Sequence, residues 1–337
     1  MESSAGAESN CNQTDAWDWV HTMQPAYMSI ICVLGVIGNA FVLCVFCLQK
    51  QNSCVADIYL SNLAAADLLM VSCLPFWVAT IINKFNWIFG ERMCQLINVV
   101  IGMNYYCSVL FLTLVSVDRY LALTRPLTQR RAFWAHGICL IIWIAGVLLS
   151  FPAILFRSVH FFPQYEVLAC YMAYPHEGWR LRYNMTVSVV GFLIPVPVVS
   201  FCSYHIIKAL WRSQKLRQSN RSIVENKAAH LVLVVLAVFI LCWLPYQIML
   251  FLDTLEHYEV ITGCTWGTAL DIGIQLSTYL GYSNSSLNPF LYVIVGKHFK
   301  ERAKEVFRCL FCRGKRQRRK SSHSKLSSNK KTESIKI

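Results

Sequence analysis

The residues able to do chemistry in this chain are the few polar and ionisable ones set inside long apolar stretches. Asp67 closes the run Leu63-Ala64-Ala65-Ala66-Asp67, and Asn39 follows Gly38. Asn104 and Ser108 stand four apart, as do Asn284 and Asn288, which places each pair on one face of a helix. A carboxylate in hydrocarbon must find hydrogen-bond donors or a cation. Oxygen atoms from Asp67, Asn104, Ser108, Asn284 and Asn288 would suit a small hard cation such as sodium. A hydrogen-bonded network with no ion would satisfy the same carboxylate, and both readings stand at this point. Asp118-Arg119-Tyr120 ends one apolar stretch, where an arginine alone need only snorkel towards water. Cys242-Trp243-Leu244-Pro245 sets a proline inside another, removing a backbone hydrogen bond and bending the helix. Asn288-Pro289-Phe290-Leu291-Tyr292 ends a third. Asp253 and Asp271 lie at the ends of two stretches, facing any cavity between them. No nucleophile–base set and no metal-ligand spacing stands out, so the chain does not read as an enzyme.

These groups need a scaffold, and the composition supplies it. A chain of 337 residues could form two soluble domains, but 55% of it is hydrophobic and only 15% charged. Globular domains carry about a quarter charged residues. The apolar residues fall in seven blocks near 26–48, 58–82, 97–117, 137–156, 185–207, 231–252 and 269–295. Each reaches or approaches the ~20 residues that cross ~30 Å of hydrocarbon as a helix. The expected fold is an all-α membrane protein: a seven-transmembrane helix bundle with a short amphipathic eighth helix. Residues 1–25 would form an N-terminal segment, 26–295 the bundle, 296–312 the amphipathic helix and 313–337 a disordered basic, Ser-rich tail. Continuous rather than alternating apolarity argues against a membrane β-barrel. The absence of an internal repeat argues against many transporters.

The net charge of +13 suggests nucleic acid until it is located. Of the 31 Lys and Arg, 26 fall on the side holding 49–56, 119–136, 208–230 and the tail; five fall on the other. The positive-inside rule makes the tail cytoplasmic and the N-terminus extracellular in a multi-pass plasma-membrane protein. The basic tail would then lie against anionic lipid, with no nucleic-acid partner. The outer face has eleven acids against five bases, near −6, and would draw a cationic ligand. Asn12-Gln13-Thr14 there fits the glycosylation pattern. Of fifteen cysteines, four sit on that oxidising side: Cys11, Cys94, Cys170 and Cys264. On the other side, Cys309 and Cys312 follow an amphipathic stretch and are candidates for palmitoylation.

In this order and at these depths, Gly38-Asn39, Leu63 to Asp67, Asp118-Arg119-Tyr120, Trp143, Cys242 to Pro245 and Asn288 to Tyr292 resemble the landmarks of the rhodopsin-like (class A) G-protein-coupled receptors. The finer similarity is to the bradykinin (kinin) receptors. It is carried by Ile58 to Leu68, Leu74-Pro75-Phe76-Trp77, Phe85-Asn86-Trp87, Asp118 to Leu123, Phe251 to Leu255 and Tyr292 to Lys297.

The resemblance implies a nonapeptide-like kinin ligand, coupling to Gq-type G proteins, phospholipase C activation and calcium release. It also implies receptor kinases and arrestin acting on tail serines such as Ser321 and Ser324. Asp253 and Asp271 match the family's carboxylates for the ligand's basic N-terminus. Trp87, Trp179, Phe251, Gln275 and Tyr279 would contact its Pro and Phe side chains. Ile101 and Gly102 would lie at the depth of its C-terminus. A lysine stands at the position of Gly102 in the inducible kinin subtype and disfavours a C-terminal arginine, so Gly102 points to a ligand that keeps it. Tyr174 to Trp179 instead resembles the inducible subtype. Ligand would press on Trp243; Val109, Pro195 and Phe239 match the connector below it. Span six would swing about Pro245, and Arg119 would leave Asp118 to open a G-protein groove. Ser203 stands where the wider family has a tyrosine. The resemblance further implies a Cys94–Cys170 bridge, which leaves Cys11 and Cys264 to join the N-terminus to the third outer loop. A receptor for another short cationic peptide, angiotensin- or chemokine-like, would share every switch motif; a heptahelical transporter is the distant alternative.

Overall fold

The computed structural model describes residues 14–48, 54–124, 132–164, 166–215, 220–294, 299–306 and 308. The chain folds as α1 (Thr14–Leu48), α2 (Val55–Ile82), α3 (Gly90–Thr124), α4 (Ala132–Phe156), β1 (Arg157–Phe162), β2 (Val167–Met172), α5 (Glu177–Ser188), a π turn (Val189–Leu193), α6 (Pro195–Lys215), α7 (Asn220–His257) and α8 (Cys264–Ile294). A last helix, α9, covers 299–306. The fifth span is composite, running from α5 through the π turn into α6. Its π turn has a local cause. Pro195 has no N–H to bond the carbonyl four residues back, and the Ile194 N–H bonds Val189 O at 3.0 Å, five back.

Six helical stretches among the described residues are long and apolar enough to cross a membrane; α8 falls short. The reason is physical: α8 carries buried Ser283, Asn284, Ser285, Ser286 and Asn288 and is the polar wall of the interior. The helices form a seven-helix bundle in which α1 packs on α2 and α8, and α3 touches α2, α4, α6 and α7. Small residues let the helices approach. In α4, Ala135, Cys139, Gly146, Ser150 and Ala153 face inward while Leu140, Ile141, Ile144 and Leu148 face out. Helices α2 and α4 are tied where Trp143 Nε1 donates to Asn62 Oδ1 at 2.9 Å.

Two features depart from the sequence expectation. The first helix begins at Thr14, well before position 26. The segment between the fourth and fifth spans is an antiparallel hairpin, with Val159 opposite Cys170, so this end of the bundle is capped by a small sheet.

The amphipathic eighth segment takes shape in α9, where Phe299, Arg302, Ala303 and Val306 are buried at one-face spacing and Lys300, Glu301, Lys304 and Glu305 are exposed. Phe299 packs against Phe41, Phe46 and Tyr292, and Arg302 Nη1 meets Asp57 Oδ2 at 2.6 Å. The same Asp57 oxygen accepts the Cys54 N–H at 2.8 Å, capping the start of α2.

Candidate functional site: a buried polar network between two mouths

Asp67 is fully buried, and its carboxylate collects three donors. Asn104 Nδ2 (2.9 Å) and Ser108 Oγ (3.0 Å) donate to Oδ1, and Asn288 Nδ2 (2.8 Å) donates to Oδ2. Ser285 Oγ donates to Asn104 Oδ1 at 3.3 Å, and Asn39 Nδ2 donates to Ser285 O at 2.9 Å. One network thus joins α1, α2, α3 and α8. Asp67 has no basic partner among the described residues, and the buried Oδ1 atoms of Asn284 and Asn288 have no protein donor. As the structure stands, two amide nitrogens and a hydroxyl satisfy the carboxylate; the oxygens of the same side chains are the ligand type that suits a small hard cation. Of the five residues expected there, Asn284 alone makes no bond to the cluster.

Below this network lies the switch region. Val109, Pro195, Phe239 and Tyr292 line one apolar cavity of about 30 Å³ between α2, α3, α6, α7 and α8. The connector residues named from sequence are therefore neighbours in space. Trp243 sits above them, its ring 4.6 Å from that of Tyr105, two residues before Pro245 in α7. Gly281 of α8 makes room for the indole: a Cβ there would meet Trp243 Cζ3 at 2.7 Å. At the end of α3, Arg119 Nε lies 3.8 Å from the buried Asp118 Oδ2, and Tyr120 stacks with Phe201 and His205. Ser203 is buried and turned to the bundle, whereas Tyr204 is exposed, so no tyrosine of α6 faces the switch from these two positions.

The opposite mouth is roofed by the hairpin. Cys94 of α3 and Cys170 of β2 form the expected disulfide. Trp87 N–H donates to Leu168 O at 2.7 Å, and Leu168 N–H donates to Asn86 Oδ1 at 2.9 Å, so the Phe85-Asn86-Trp87 turn clasps the same strand. Asp253, on the inner stripe of α7, meets Arg180 Nη2 at 2.5 Å; Arg180 Nη1 is 3.4 Å from His257 Nδ1. Asp271 is exposed and makes no ion pair among the described residues. Among the described residues the Arg157 side chain bonds only to a backbone oxygen, Cys170 O at 3.5 Å, and its buried Nε has no partner. Tyr174 is stacked on Phe156 and Tyr183; burial and then Tyr183 push its phenol well up, with Arg157 and Arg180 working against the rise.

Several expected ligand contacts have other surroundings. Trp87 is 1% exposed, packed on Trp77 and Phe89 with Nε1 bonded to Gly90 O, so it holds the loop together and offers no ligand face. Phe251 is 60% exposed on the outward stripe with Leu241, Leu244 and Ile248. A Cβ on Gly102 would meet Ser150 Oγ of α4 at 3.0 Å, which directs that position between helices and away from the mouth. Ile101 packs between the apolar clusters around Tyr279 and Trp87. Tyr279 is buried, taking a hydrogen bond from Gln24 and donating one to Gln275. Trp179 stacks on Phe156 at 5.1 Å, under the Arg182 guanidinium. Cys11, Asn12, Cys309, Cys312 and the serine tail lie outside the described residues, as does the side chain of Cys264.

The sequence reading missed Arg157 and Arg180. Both are among the five bases of the acidic face, and asking where a minority charge finds a partner would have singled them out.

Seven helices around a polar interior, with a disulfide-pinned roof and an Asp-Arg-Tyr end, define a membrane receptor bundle. A profile of the 7 transmembrane receptor (rhodopsin family) matches residues 38–292. The B2 bradykinin receptor of Rattus norvegicus is 44% identical over 313 residues, 91% of this chain and 79% of that receptor. The human B2 bradykinin receptor is 44% identical over 306 residues, covering 89% and 78%, and the human B1 bradykinin receptor 38% identical over 301, covering 88% and 85%. The chain belongs to the rhodopsin-like G-protein-coupled receptors and stands close to the bradykinin receptors within them. That family is not enzymatic.

Proposed function

We propose that this chain is a plasma-membrane receptor for kinin-like peptides, with its hairpin face extracellular. The observation that carries the reading is the charge layout of the hairpin mouth. Asp253 and Asp271 stand on α7 and α8, and Arg157, with no carboxylate partner among the described residues, stands on β1. A short peptide with a basic N-terminus and a free C-terminal carboxylate carries the complementary pattern at its two ends. The names of the B2 and B1 relatives agree with this ligand class.

Peptide seated between α3, α7 and α8 presses on Trp243 and shifts the balance between two packings of the bundle. The cavity beneath gives Phe239 and Tyr292 room to move. Helix α7 swings about Pro245, Arg119 parts from Asp118, and a groove opens for a helix of a Gq-type G protein, leading to phospholipase C and calcium release. Asp67, Asn104, Ser108 and Asn288 would hold a sodium ion, whose charge would favour the resting arrangement. Receptor kinases and arrestin act on the serine tail, Cys309 and Cys312 carry palmitate, and Asn12 carries glycan.

The test is calcium release in transfected cells. An intact bradykinin-like peptide and the same peptide lacking its C-terminal Arg are compared with angiotensin- and chemokine-like peptides. Response to a kinin form alone supports the reading; response only to another peptide overturns it.

A further inference from the structure

We infer that Arg180 is a built-in competitor for Asp253 and sets the charge a ligand must carry to open the mouth. The inference rests on the kinin reading for its ligand, but the ion pair stands by itself.

Asp253 is the carboxylate that a cationic ligand end would be expected to seek, yet it is already engaged. Arg180, at the start of α5, lays Nη2 on its Oδ1 at 2.5 Å and places Nη1 3.4 Å from His257 Nδ1, one turn further along α7. The Asp253 side chain is 16% exposed and that of Arg180 33%, so the pair sits at the rim, where a ligand can reach it. Asp271 is exposed without an ion pair among the described residues. The two carboxylates therefore play different parts: Asp271 is free to receive a cation, and Asp253 yields only to one that takes the place of Arg180. Exchange of one guanidinium for another conserves the charge-assisted bond. A neutral group makes no such exchange and leaves the pair closed. Arg180 thereby lowers affinity for basic peptides: a cationic end must first displace the resident pair, and only the surplus of its own contacts appears as binding.

The fastening of α5 to α7 does not depend on this pair alone. One turn deeper, Asn184 Nδ2 donates to Thr254 Oγ1 at 3.1 Å. Removing the Arg180 charge should leave the two helices in place.

The experiment uses the full-length receptor and two radiolabelled nonapeptides, one beginning with Arg and the other with N-acetylcitrulline, which is neutral. Arg180→Gln is expected to raise affinity for the Arg peptide about tenfold and to leave the neutral peptide unchanged. In an Asp253→Asn background the gain should vanish. Equal change for both peptides, or a gain that survives loss of Asp253, would overturn the competitor role. Thermal unfolding of the ligand-free receptor in detergent reads the pair without any peptide. Arg180→Gln, Asp253→Asn and the double variant should lose the same stability, and additive losses would refute the pairing. Failure of both peptides to bind parent and variant, with non-additive melting intact, would overturn the ligand reading and uphold the pair.

Discussion

Gly191→Ala puts the coupling between the fifth span and the switch to a direct test. Gly191 lies in the π turn, and a Cβ there would stand 2.2 Å from Tyr105 Cε1 and 2.3 Å from its hydroxyl. The ring has nowhere to retreat. It is 6% exposed, its face is 4.6 Å from Trp243, and Tyr106 is 5.2 Å away. Its hydroxyl donates to Val187 O at 3.2 Å and accepts from Gln247 Nε2 at 2.9 Å, so any shift also breaks the link between α3, α5 and α7. Overpacking a rigid core costs about 1–3 kcal/mol. Two lost hydrogen bonds add about 1 kcal/mol each, giving roughly 3–5 kcal/mol in all. The assay is thermal unfolding of purified receptor in detergent, beside surface expression in cells. Gly191→Ala should unfold well below the parent. Adding Tyr105→Leu, which removes the clashing ring, should recover part of the loss, so the double variant falls short of the sum of the singles. Parent-like unfolding of Gly191→Ala, or strict additivity, would show that the Tyr105–Gly191 contact does not fix this part of the bundle.

Asp271→Ala should weaken agonist potency in a calcium assay by roughly ten- to hundredfold at unchanged surface expression, the loss of one charge-assisted bond, and Asp253→Ala should weaken it less, because the ligand's bond there replaces the one to Arg180; unchanged potency in both would make these carboxylates mere surface charge. Cys170→Ala should remove about 2–5 kcal/mol of stability and loosen the roof, seen as lost peptide binding, although the Asn86 and Trp87 bonds to Leu168 remain. Asp57→Asn removes the carboxylate that the buried Arg302 meets at 2.6 Å and weakens the cap of α2, at a cost of about 1.5–3 kcal/mol, so α9 should loosen and G-protein activation per surface receptor should fall. Gly102→Lys should reduce surface expression by wedging α3 from α4 at Ser150, without inverting the preference between peptides with and without a C-terminal Arg; an inverted preference would place that side chain in the mouth after all.

The parts of this receptor legible in its sequence are those where hydrocarbon makes a polar group conspicuous. Asp67, Asn104, Ser108 and Asn288 stood out because each is costly in an apolar block, and the structure gathers all four into one network. The span count followed from the same contrast, except that α8 is less apolar than the rest because it supplies most of that network's wall. The hairpin was not legible, because a loop over the bundle shows neither clear alternation nor helical period. Arg180 was hidden by arithmetic: a net charge of one face adds Asp253 to Arg180 as numbers and says nothing of the bond between them.

The outward setting of Phe251 has a physical cause. In a soluble helix the apolar stripe marks the buried face, because water covers the other. In a bilayer both faces are apolar, so composition fixes that a helix spans but not how it is rotated. Phe251 and Leu250 are adjacent and equally apolar, yet one is 60% exposed and the other 6%. Only the polar residues carry rotational information. In the part of α7 nearest the hairpin, Gln247, Asp253, Thr254 and His257 each meet a side chain of another helix. Phasing that helix from them, rather than from its aromatics, would have set Phe251 towards the lipid and Asp253 opposite α5, where Arg180 meets it.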